Sequence, residues 1–455
     1  MLIVGISLDQ ILNLVLAGVT TPSGKQKTGN WYKDIFDRSE EDRVNHKLRN
    51  DAEQIIRGAI RAVTPNEKIR KALEGKEFPG RIFVVSVGKA AWQMAKSAME
   101  ALHQPYAAGI VVTKYGHVQG EIPRFTCYEA GHPIPDENSF LATQAVLDMT
   151  TGLKEDDTVL FLLSGGGSAL FEKPLISGVE LGDITQQLLA KGADIVEINT
   201  IRKRLSAVKG GKFAKHCQPA HIEAIILSDI IGDPLDMIAS GPAYPDSSTC
   251  EQALKIVDKY GLKLSERARR LLGEETPKKL ASVTSTVIGN VKDLCRAAMQ
   301  ECESLGYEPV FLTDCLNVEA RTAGAMLSNI ARSHSINNKK LAFIAGGETI
   351  VYLSGRGKGG RNQELALGAA VGIVGLRHVA VFSVGSDGTD GPTDAAGGYV
   401  DGETLLDAAA KGLSIEKSLQ ENDSYTLLKE LGGLIITGPT GTNVNDVAVV
   451  LIDSV

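Results

Sequence analysis

The feature that most constrains the fold is a regular alternation of short apolar runs and helix-length segments from Arg81 onward. This pattern predicts an α/β protein with a largely parallel sheet. Most of the runs are apolar throughout, as expected of strands that are covered on both faces. The candidate strands are residues 82–87, 109–113, 158–163, 222–227, 286–288, 309–312, 341–345, 350–353, 379–384, 434–436 and 447–451.

Polar or glycine-rich sequence follows nearly every candidate strand. Gly88 and Lys89 follow the strand at 82–87, and SGGGS at 164–168 follows the strand at 158–163. Asp229 comes two residues after the strand at 222–227, and GGE at 346–348 follows the strand at 341–345. Open α/β sheets bind their ligands at the carboxyl ends of the strands. The chemistry of this chain is therefore expected at that edge.

The length of the chain predicts more than one domain. A chain of 455 residues exceeds one ordinary core, so two or possibly three domains are expected. The polar stretch at residues 273–285 is the best candidate junction, which gives domains at residues 45–280 and 281–455. Residues 1–44 are interpreted as an appendage of unclear role. Their apolar part lacks a basic start and contains polar residues, so neither a signal peptide nor a membrane span is expected.

Composition narrows the class of protein. Hydrophobic residues make up 43% of the chain, charged residues 23%, and the net charge is -7 with scattered basic residues. This distribution gives no reason to expect nucleic-acid or membrane binding. The six cysteines show no zinc-site spacing, which favours reduced thiols in a cytosol. We expect a cytoplasmic protein with small-molecule partners, as a monomer or homodimer.

Two loops in the last third of the chain carry the most chemistry. The stretch GRGKGGRNQE at residues 355–364 offers backbone N–H groups and cations at a helix start, which suits phosphate. Gly357, Gly359 and Gly360 are predicted to bind nucleotide there. Gly355, Gly357 and Gly360 also satisfy G-x-G-x-x-G, a dinucleotide pattern, but the next strand runs into an acidic loop and not into a single ribose-binding acid.

That acidic loop, SDGTDGPTD at residues 386–394, holds three carboxylates. Carboxylate oxygens are the ligands that Mg²⁺ prefers, and Mg²⁺ commonly joins a protein to substrate phosphates. Asp387 and Asp390 are the predicted metal ligands. The two loops together suggest phosphoryl-transfer chemistry.

The SGGGS stretch after the third candidate strand resembles an anion-holding nest. Three consecutive glycines exceed what one tight turn needs, and the two hydroxyls add donors. The predicted phosphate-binding residues are Ser164, Gly165, Gly166, Gly167 and Ser168. A Walker A sequence is absent, which excludes the P-loop fold.

Two charged residues at strand ends are candidates for catalysis. Lys89 opens a helix at the sheet edge, where its ammonium can neutralise charge on a transferred phosphoryl group. An exposed lysine at a helix start is the alternative. Asp229 can accept a proton from a substrate hydroxyl, or it can cap the next element.

Further polar residues are candidates for substrate binding. The basic cluster of Arg202 and Lys203 could clamp a carboxylate, although most such clusters are solvated helix faces. His132 lies in a proline-fixed loop. Glu348 and Asn443 follow strands, where capping is the alternative.

Taken together, these motifs resemble the class II glycerate kinases over residues 50–452. The motifs are GKAA (88–91), AGHPIPDE (130–137), LSGGGS (163–168), NTIRK (199–203), ASGP (239–242), GGET (346–349), GGRNQEL (359–365), SDGTDGPTDAAGG (386–398) and TGPTGTN (437–443).

The resemblance implies an ATP- and Mg²⁺-dependent kinase that phosphorylates D-glycerate at its 2-hydroxyl, giving 2-phosphoglycerate and ADP. It also implies a larger Rossmann-like N-terminal domain and a smaller C-terminal MOFRL domain with a mixed sheet, with the active site in the cleft between them. The proposed catalytic lysine and arginine of that family fall on Lys89 and Arg361.

Two other functions remain open on the sequence. Members of this family have carried the label hydroxypyruvate reductase, so an NAD(P)H-dependent reductase is the main alternative. A regulatory module that binds a nucleotide without turnover is the other, although the many polar groups at strand ends argue against it.

Overall fold

The computed structural model describes residues 46–230, 232–336 and 339–453, whose strands form two six-stranded sheets. The first sheet has the order β3-β2-β1-β4-β5-β6, and every neighbouring pair is parallel. Its strands are β1 (Ile82–Val87), β2 (Ala108–Lys114), β3 (Phe125–Ala130), β4 (Thr158–Leu163), β5 (His221–Leu227) and β6 (Val283–Gly289).

The second sheet is mixed. In the order β11-β10-β9-β12-β8-β7, only β7 and β8 are parallel. Its strands are β7 (Glu308–Leu316), β8 (Leu341–Gly347), β9 (Val379–Gly385), β10 (Gly397–Asp401), β11 (Leu434–Ile435) and β12 (Asp446–Ile452). The predicted α/β class with a mixed second sheet is confirmed.

Two details differ from the predicted strands. Residues 350–353 form no strand, and Ile350 makes only an isolated bridge to Glu319. Strands β3 and β10 were not predicted.

Helices connect the strands and cover both sheets. Several begin where a polar side chain caps the first turn, as Asp136 and Asp194 do in reciprocal capping boxes. The helices are α1 (His46–Ala62), α2 (Pro65–Leu73), α3 (Ala91–Ala101), α4 (Glu137–Met149), α5 (Gly167–Leu170), α6 (Gly178–Ala190), α7 (Ile195–Leu205), α8 (Lys212–Cys217), α9 (Cys250–Tyr260), α10 (Glu266–Leu272), α11 (Val291–Ser304), α12 (Ala320–His334), α13 (Arg361–Ala370), α14 (Thr404–Ala410), α15 (Ile415–Gln420) and α16 (Ser424–Glu430).

One apolar core is shared by the two sheets. Helix α11 packs on β6 of the first sheet and on β7, β8 and β12 of the second, and it also packs on α1. Buried residues from one face of each sheet belong to this core, among them Val84, Leu160 and Ile225 from the first and Ile344, Phe382 and Val449 from the second. The carboxyl ends of β1, β4 and β5 are thereby held beside the ends of β8 and β9.

The predicted boundary at residues 280/281 falls just before β6, which pairs with β5 and so belongs to the first sheet. The division into two domains stays a prediction. The predicted appendage at residues 1–44 lies outside the described residues. Among the residues that the structure describes, no helix is long and apolar enough to cross a membrane.

Candidate active site

Lys89 lies at the carboxyl end of β1 and reaches the second sheet. Its Nζ donates to Asp387 Oδ2 over 2.8 Å, and Asp387 comes two residues after β9. Burial lowers the pKa of Lys89, but the Asp387 carboxylate outweighs this effect, so the pKa is raised. Lys89 is therefore a held, protonated cation that joins the ends of strands from both sheets.

The backbone beside Lys89 is tightly packed against the end of β4. A side chain at Gly88, whose φ is 121°, would place its Cβ only 2.2 Å from Ser164 Oγ. Ser164 Oγ accepts from Ala90 N over 3.1 Å and donates to Val87 O over 3.3 Å. Ser164 was predicted to bind phosphate, but it is fully buried and ties β1 to β4.

The next four residues form an open backbone turn at the start of α5. Within the described part of the chain, the N–H groups of residues 165–168 make no hydrogen bond. Behind them, the carbonyl of Ser168 accepts from Lys209 Nζ over 2.8 Å and from Arg202 Nη2 over 2.9 Å. Free N–H groups backed by two cations suit an anion. Anion binding by Gly165, Gly166, Gly167 and Ser168 stays a prediction.

The basic cluster on α7 differs from the predicted substrate clamp. Lys203 Nζ lies 3.0 Å from Asp246 Oδ1, and both side chains are almost fully buried. Besides its contact with Ser168, Arg202 donates to Glu172 Oε2 over 3.2 Å. Lys203 therefore forms an ion pair inside the protein, and Arg202 binds the Ser168 carbonyl in the turn at residues 165–168. Neither residue belongs to a solvated helix face.

Replacing Lys203 with methionine should lower the free energy of unfolding by about 3 kcal/mol, because the buried Asp246 loses a cationic partner. Urea unfolding followed by circular dichroism measures the change. Lys279→Met, at an exposed lysine, is the matched control and should leave stability unchanged. Equal stability of the two variants would contradict a structural role for Lys203.

His132 lies against the same turn. A Cβ on Gly166 would sit 3.0 Å from His132 Cδ2 and 3.1 Å from its Nε2. Burial, with the neighbouring cations Lys89 and Lys114, lowers the pKa of His132 to about 4. The imidazole is therefore neutral near neutral pH, and one of its nitrogens can accept while the other donates.

The His132 ring signal should stay constant between about pH 5.5 and pH 8, because the imidazole remains unprotonated over that range. Proton NMR of the ring hydrogens measures this, and His132→Asn identifies the signal by its disappearance. A titration midpoint inside the range would contradict the burial of the ring beside Lys89 and Lys114.

Asp229 and Asn443 close the other side of the turn. Asn443 Nδ2 donates to Asp229 Oδ2 over 3.2 Å. A Cβ on Gly165 would lie 1.8 Å from Asn443 Nδ2 and 2.0 Å from Asp229 Oδ2, so only glycine leaves room for both groups. Burial raises the pKa of Asp229, and its charge interacts with those of Lys89 and Arg361. Lys89 flanks the same turn, since a Cβ on Gly166 would lie 3.3 Å from Lys89 Cγ. That Lys89, Asp229 and Arg361 form one catalytic site stays a prediction.

Arg361 is the first residue of α13. Its guanidinium makes two bonds to Asp446, from Nε over 2.5 Å and from Nη2 over 3.0 Å. Its Nη1 donates to Glu348 Oε1 over 2.8 Å. Burial alone would lower the pKa of Arg361, but the carboxylates raise it, while burial raises the pKa of Glu348. These three bonds hold the guanidinium of Arg361 in one orientation, with Glu348 on Nη1.

The glycine loop before α13 has internal partners where a phosphate cradle was predicted. Gly357 N donates to Glu421 O over 2.8 Å, and Lys358 N donates to Asp423 Oδ1 over 3.0 Å. A Cβ would lie 2.2 Å from Ser424 Oγ at Gly359 and 2.3 Å from Asp390 Cγ at Gly360. These glycines let the loop pack closely on neighbouring segments and set the start of α13.

The two predicted metal ligands also have other partners. Asp387 accepts from Lys89 on one oxygen and from Thr389 on the other. The carboxylate of Asp390 accepts four hydrogen bonds from the backbone and side chains of Asn362 and Gln363. Among the residues that the structure describes, no group of three His, Cys, Asp or Glu side chains could hold a metal ion. The pair does not fit a metal ion as arranged.

Two residues of the site were not predicted. Asp446 opens β12 and orients Arg361, and the only signal in the sequence is one acid before six apolar residues. Lys209 supports the turn from behind, and burial lowers its pKa to about 8. Its sequence context, a lysine before two glycines, resembles an ordinary exposed turn.

Comparison with known proteins gives consistent matches along most of the chain. A family model described as a domain of unknown function (DUF4147) matches residues 51–273, and the MOFRL family model matches residues 341–446. The chain is 50% identical over 411 residues to the D-glycerate 2-kinase of Thermotoga maritima, which covers 89% of this chain and 98% of that protein.

Two further comparisons agree. The chain is 40% identical over 436 residues to the glycerate 2-kinase of Pyrococcus horikoshii, which covers 90% of this chain and 98% of that protein. The crystal structure of glycerate kinase from Thermotoga maritima superposes with a TM-score of 0.83 at 49% identity. That match covers 90% of this chain and 100% of the solved chain.

Proposed function

Because the chain belongs to the glycerate 2-kinase (MOFRL) family and is a kinase of glycerate, we propose that it phosphorylates the 2-hydroxyl of D-glycerate with ATP and Mg²⁺. The products are 2-phosphoglycerate and ADP. One observation carries the proposal. Lys89 and Asp229 flank the turn at residues 165–168, and Lys89 Nζ bonds Asp387 in the acidic loop that also caps α13, the helix that begins with Arg361.

The two cations act on the transferred group. In the reaction, the 2-oxygen of glycerate forms a bond to the γ-phosphorus of ATP while the bond to the bridging oxygen of ADP breaks. Negative charge spreads over the phosphoryl oxygens, and preorganised cations stabilise it. Lys89 is fixed by Asp387 and Arg361 by Asp446, so little reorganisation is needed when the charge appears.

Asp229 is the general base in this mechanism. Its carboxylate takes the proton of the substrate hydroxyl as that oxygen attacks phosphorus. Burial raises the pKa of Asp229, which makes its carboxylate a stronger base towards the substrate hydroxyl. The hydrogen bond from Asn443 fixes the orientation of that carboxylate.

The remaining groups bind the substrates. The turn at residues 165–168 holds an anionic group of glycerate or nucleotide through its free N–H groups. His132, Asn443 and Glu348 face the polar groups of glycerate. Arg202 contributes its charge from behind the turn, through the Ser168 carbonyl.

Magnesium ion, when bound with ATP, neutralises charge on the nucleotide phosphates. Since Asp387 and Asp390 do not fit a metal ion in this arrangement, no step of the mechanism is assigned to them as ligands.

Incubation with D-glycerate, ATP and Mg²⁺, followed by phosphorus NMR of the product, tests the proposal. A 2-phosphoglycerate signal is expected. A 3-phosphoglycerate signal would keep the kinase and overturn the position of transfer. A parallel sample with NADH and hydroxypyruvate tests the reductase alternative, and NADH consumption without phosphorylation would favour it.

A further inference from the structure

The acidic loop after β9 carries three carboxylates in different settings. Asp387 and Asp390 are buried, with 7% and 2% of their surface exposed. Asp394 is exposed and accepts a hydrogen bond from Tyr425 over 2.7 Å. A loop that gathers acids for a metal ion would turn their oxygens towards a common point, which these contacts do not show.

The carboxylate of Asp387 accepts hydrogen bonds from two residues, Lys89 and Thr389. One oxygen accepts from Lys89 Nζ, and the other accepts from the backbone N–H and the hydroxyl of Thr389, over 2.9 Å and 3.2 Å. The carbonyl of Asp387 accepts in turn from Thr440 N over 3.4 Å. The contacts with Thr389 and Thr440 hold Asp387 in place just after β9, where its carboxylate binds the ammonium of Lys89.

Asp390 binds the first turn of α13. Its oxygens accept from the backbone N–H groups of Asn362 over 3.1 Å and Gln363 over 2.9 Å, as a capping carboxylate does. Gln363 Nε2 adds a bond of 3.0 Å. Arg361 directly precedes these residues, so Asp390 fixes the point from which the guanidinium extends.

We infer that the acidic loop is a positioning element of the kinase, in which Asp387 aims Lys89 and Asp390 aims Arg361. A single loop thus sets the relative positions of two cations, Lys89 just after β1 and Arg361 at the start of α13. This inference rests on the proposed function, because it gives both cations a role in the transfer.

Three variants test the inference: Asp387→Asn, Asp390→Asn and, as the matched control, Asp394→Asn. Misplaced cations should reduce kcat by roughly 10- to 100-fold in the first two variants. The KM for glycerate and the Mg²⁺ concentration that gives half-maximal activity at fixed ATP should stay close to the wild-type values. Asp394→Asn should match wild type in every parameter.

A metal role would give a different result. If either aspartate were a ligand, its variant would need about 10-fold or more additional Mg²⁺ for half-maximal activity. That outcome, or unchanged kcat in both variants, would overturn the inference. Circular dichroism checks folding. If Asp390→Asn does not fold, Thr393→Val leaves the Asp390 carboxylate in place but removes the hydroxyl that bonds Asp390 O, Gln363 and Ala395, and it should give a smaller fall in kcat.

The wild-type product separates this test from the proposed function. If the wild-type enzyme forms 3-phosphoglycerate, the position of transfer changes, but the comparison of Mg²⁺ requirement among the variants still decides the role of the loop.

Discussion

Replacing Arg361 with alanine should reduce kcat by on the order of 10³-fold or more, because a transition-state charge partner on the transferred phosphoryl group is lost. Asp446 and Glu348 hold the guanidinium in a fixed orientation, so its stabilisation of the transition state requires no ordering of a flexible side chain. Arg361→Lys should recover only part of the rate, since an ammonium cannot make the same paired contacts. Steady-state kinetics with glycerate and ATP measure both effects.

Arg356→Ala is the matched control for Arg361. Arg356 is an exposed residue of the same glycine loop, and its loss should leave kcat unchanged. Removing Arg361 also leaves Asp446 without its cation, so thermal unfolding must accompany the kinetics. Near-normal turnover in a folded Arg361→Ala enzyme would contradict the proposed role of this residue.

Replacing Lys89 with methionine should reduce kcat by roughly 100- to 1,000-fold, because a buried donor to the developing charge disappears. The methionine keeps most of the volume of the lysine stem. The variant also leaves Asp387 buried without its cationic partner, so a lower melting temperature should accompany the loss of activity. Activity assays and differential scanning calorimetry measure the two effects separately.

Lys96→Met controls for the loss of a lysine near Lys89 in the sequence. Lys96 lies on α3, which begins two residues after Lys89, and its Nζ lies 5.3 Å from the ring centroid of Trp92. It should keep wild-type kcat. If Lys89→Met and Lys96→Met had similar rates, Lys89 would have no part in the transfer step.

The strands that the sequence predicts well are those with continuous apolar runs. Strand β4, TVLFLL, is buried along its whole length, and its character is visible without a partner. The edge strand β3 is mostly half-buried, with Thr126 exposed and Ala130 buried, and β10 begins with two glycines. Their strand form depends on pairing with β2 and β9, which lie elsewhere in the sequence. Residues 350–353 have the right composition but lack such a partner.

The candidate site shows the same limit. Strand-end position is a property of the local sequence, so Lys89 and Asp229 could be placed at the sheet edge in advance. Arg361 could be placed only at a helix start, because the strand predicted before its glycine loop does not form. The direction of each side chain depends on distant contacts. Asp446 meets Arg361 across 85 positions of sequence, and Lys89 meets Asp387 across 298. Spacing within the acidic loop therefore could not distinguish a carboxylate that binds a metal ion from one that caps a helix.

The apolar core shared by the sheets has a consequence for how this enzyme can be divided. Residues 341–446, which the MOFRL family model matches, contain strands whose buried face is completed by α1, α11 and strands of the first sheet. A gene fragment encoding only residues 341–446 would produce a chain with a broad apolar surface open to water, prone to self-association. Recombination between relatives is therefore expected to exchange the two sheets together, because either sheet without the other would expose the apolar face that they bury between them.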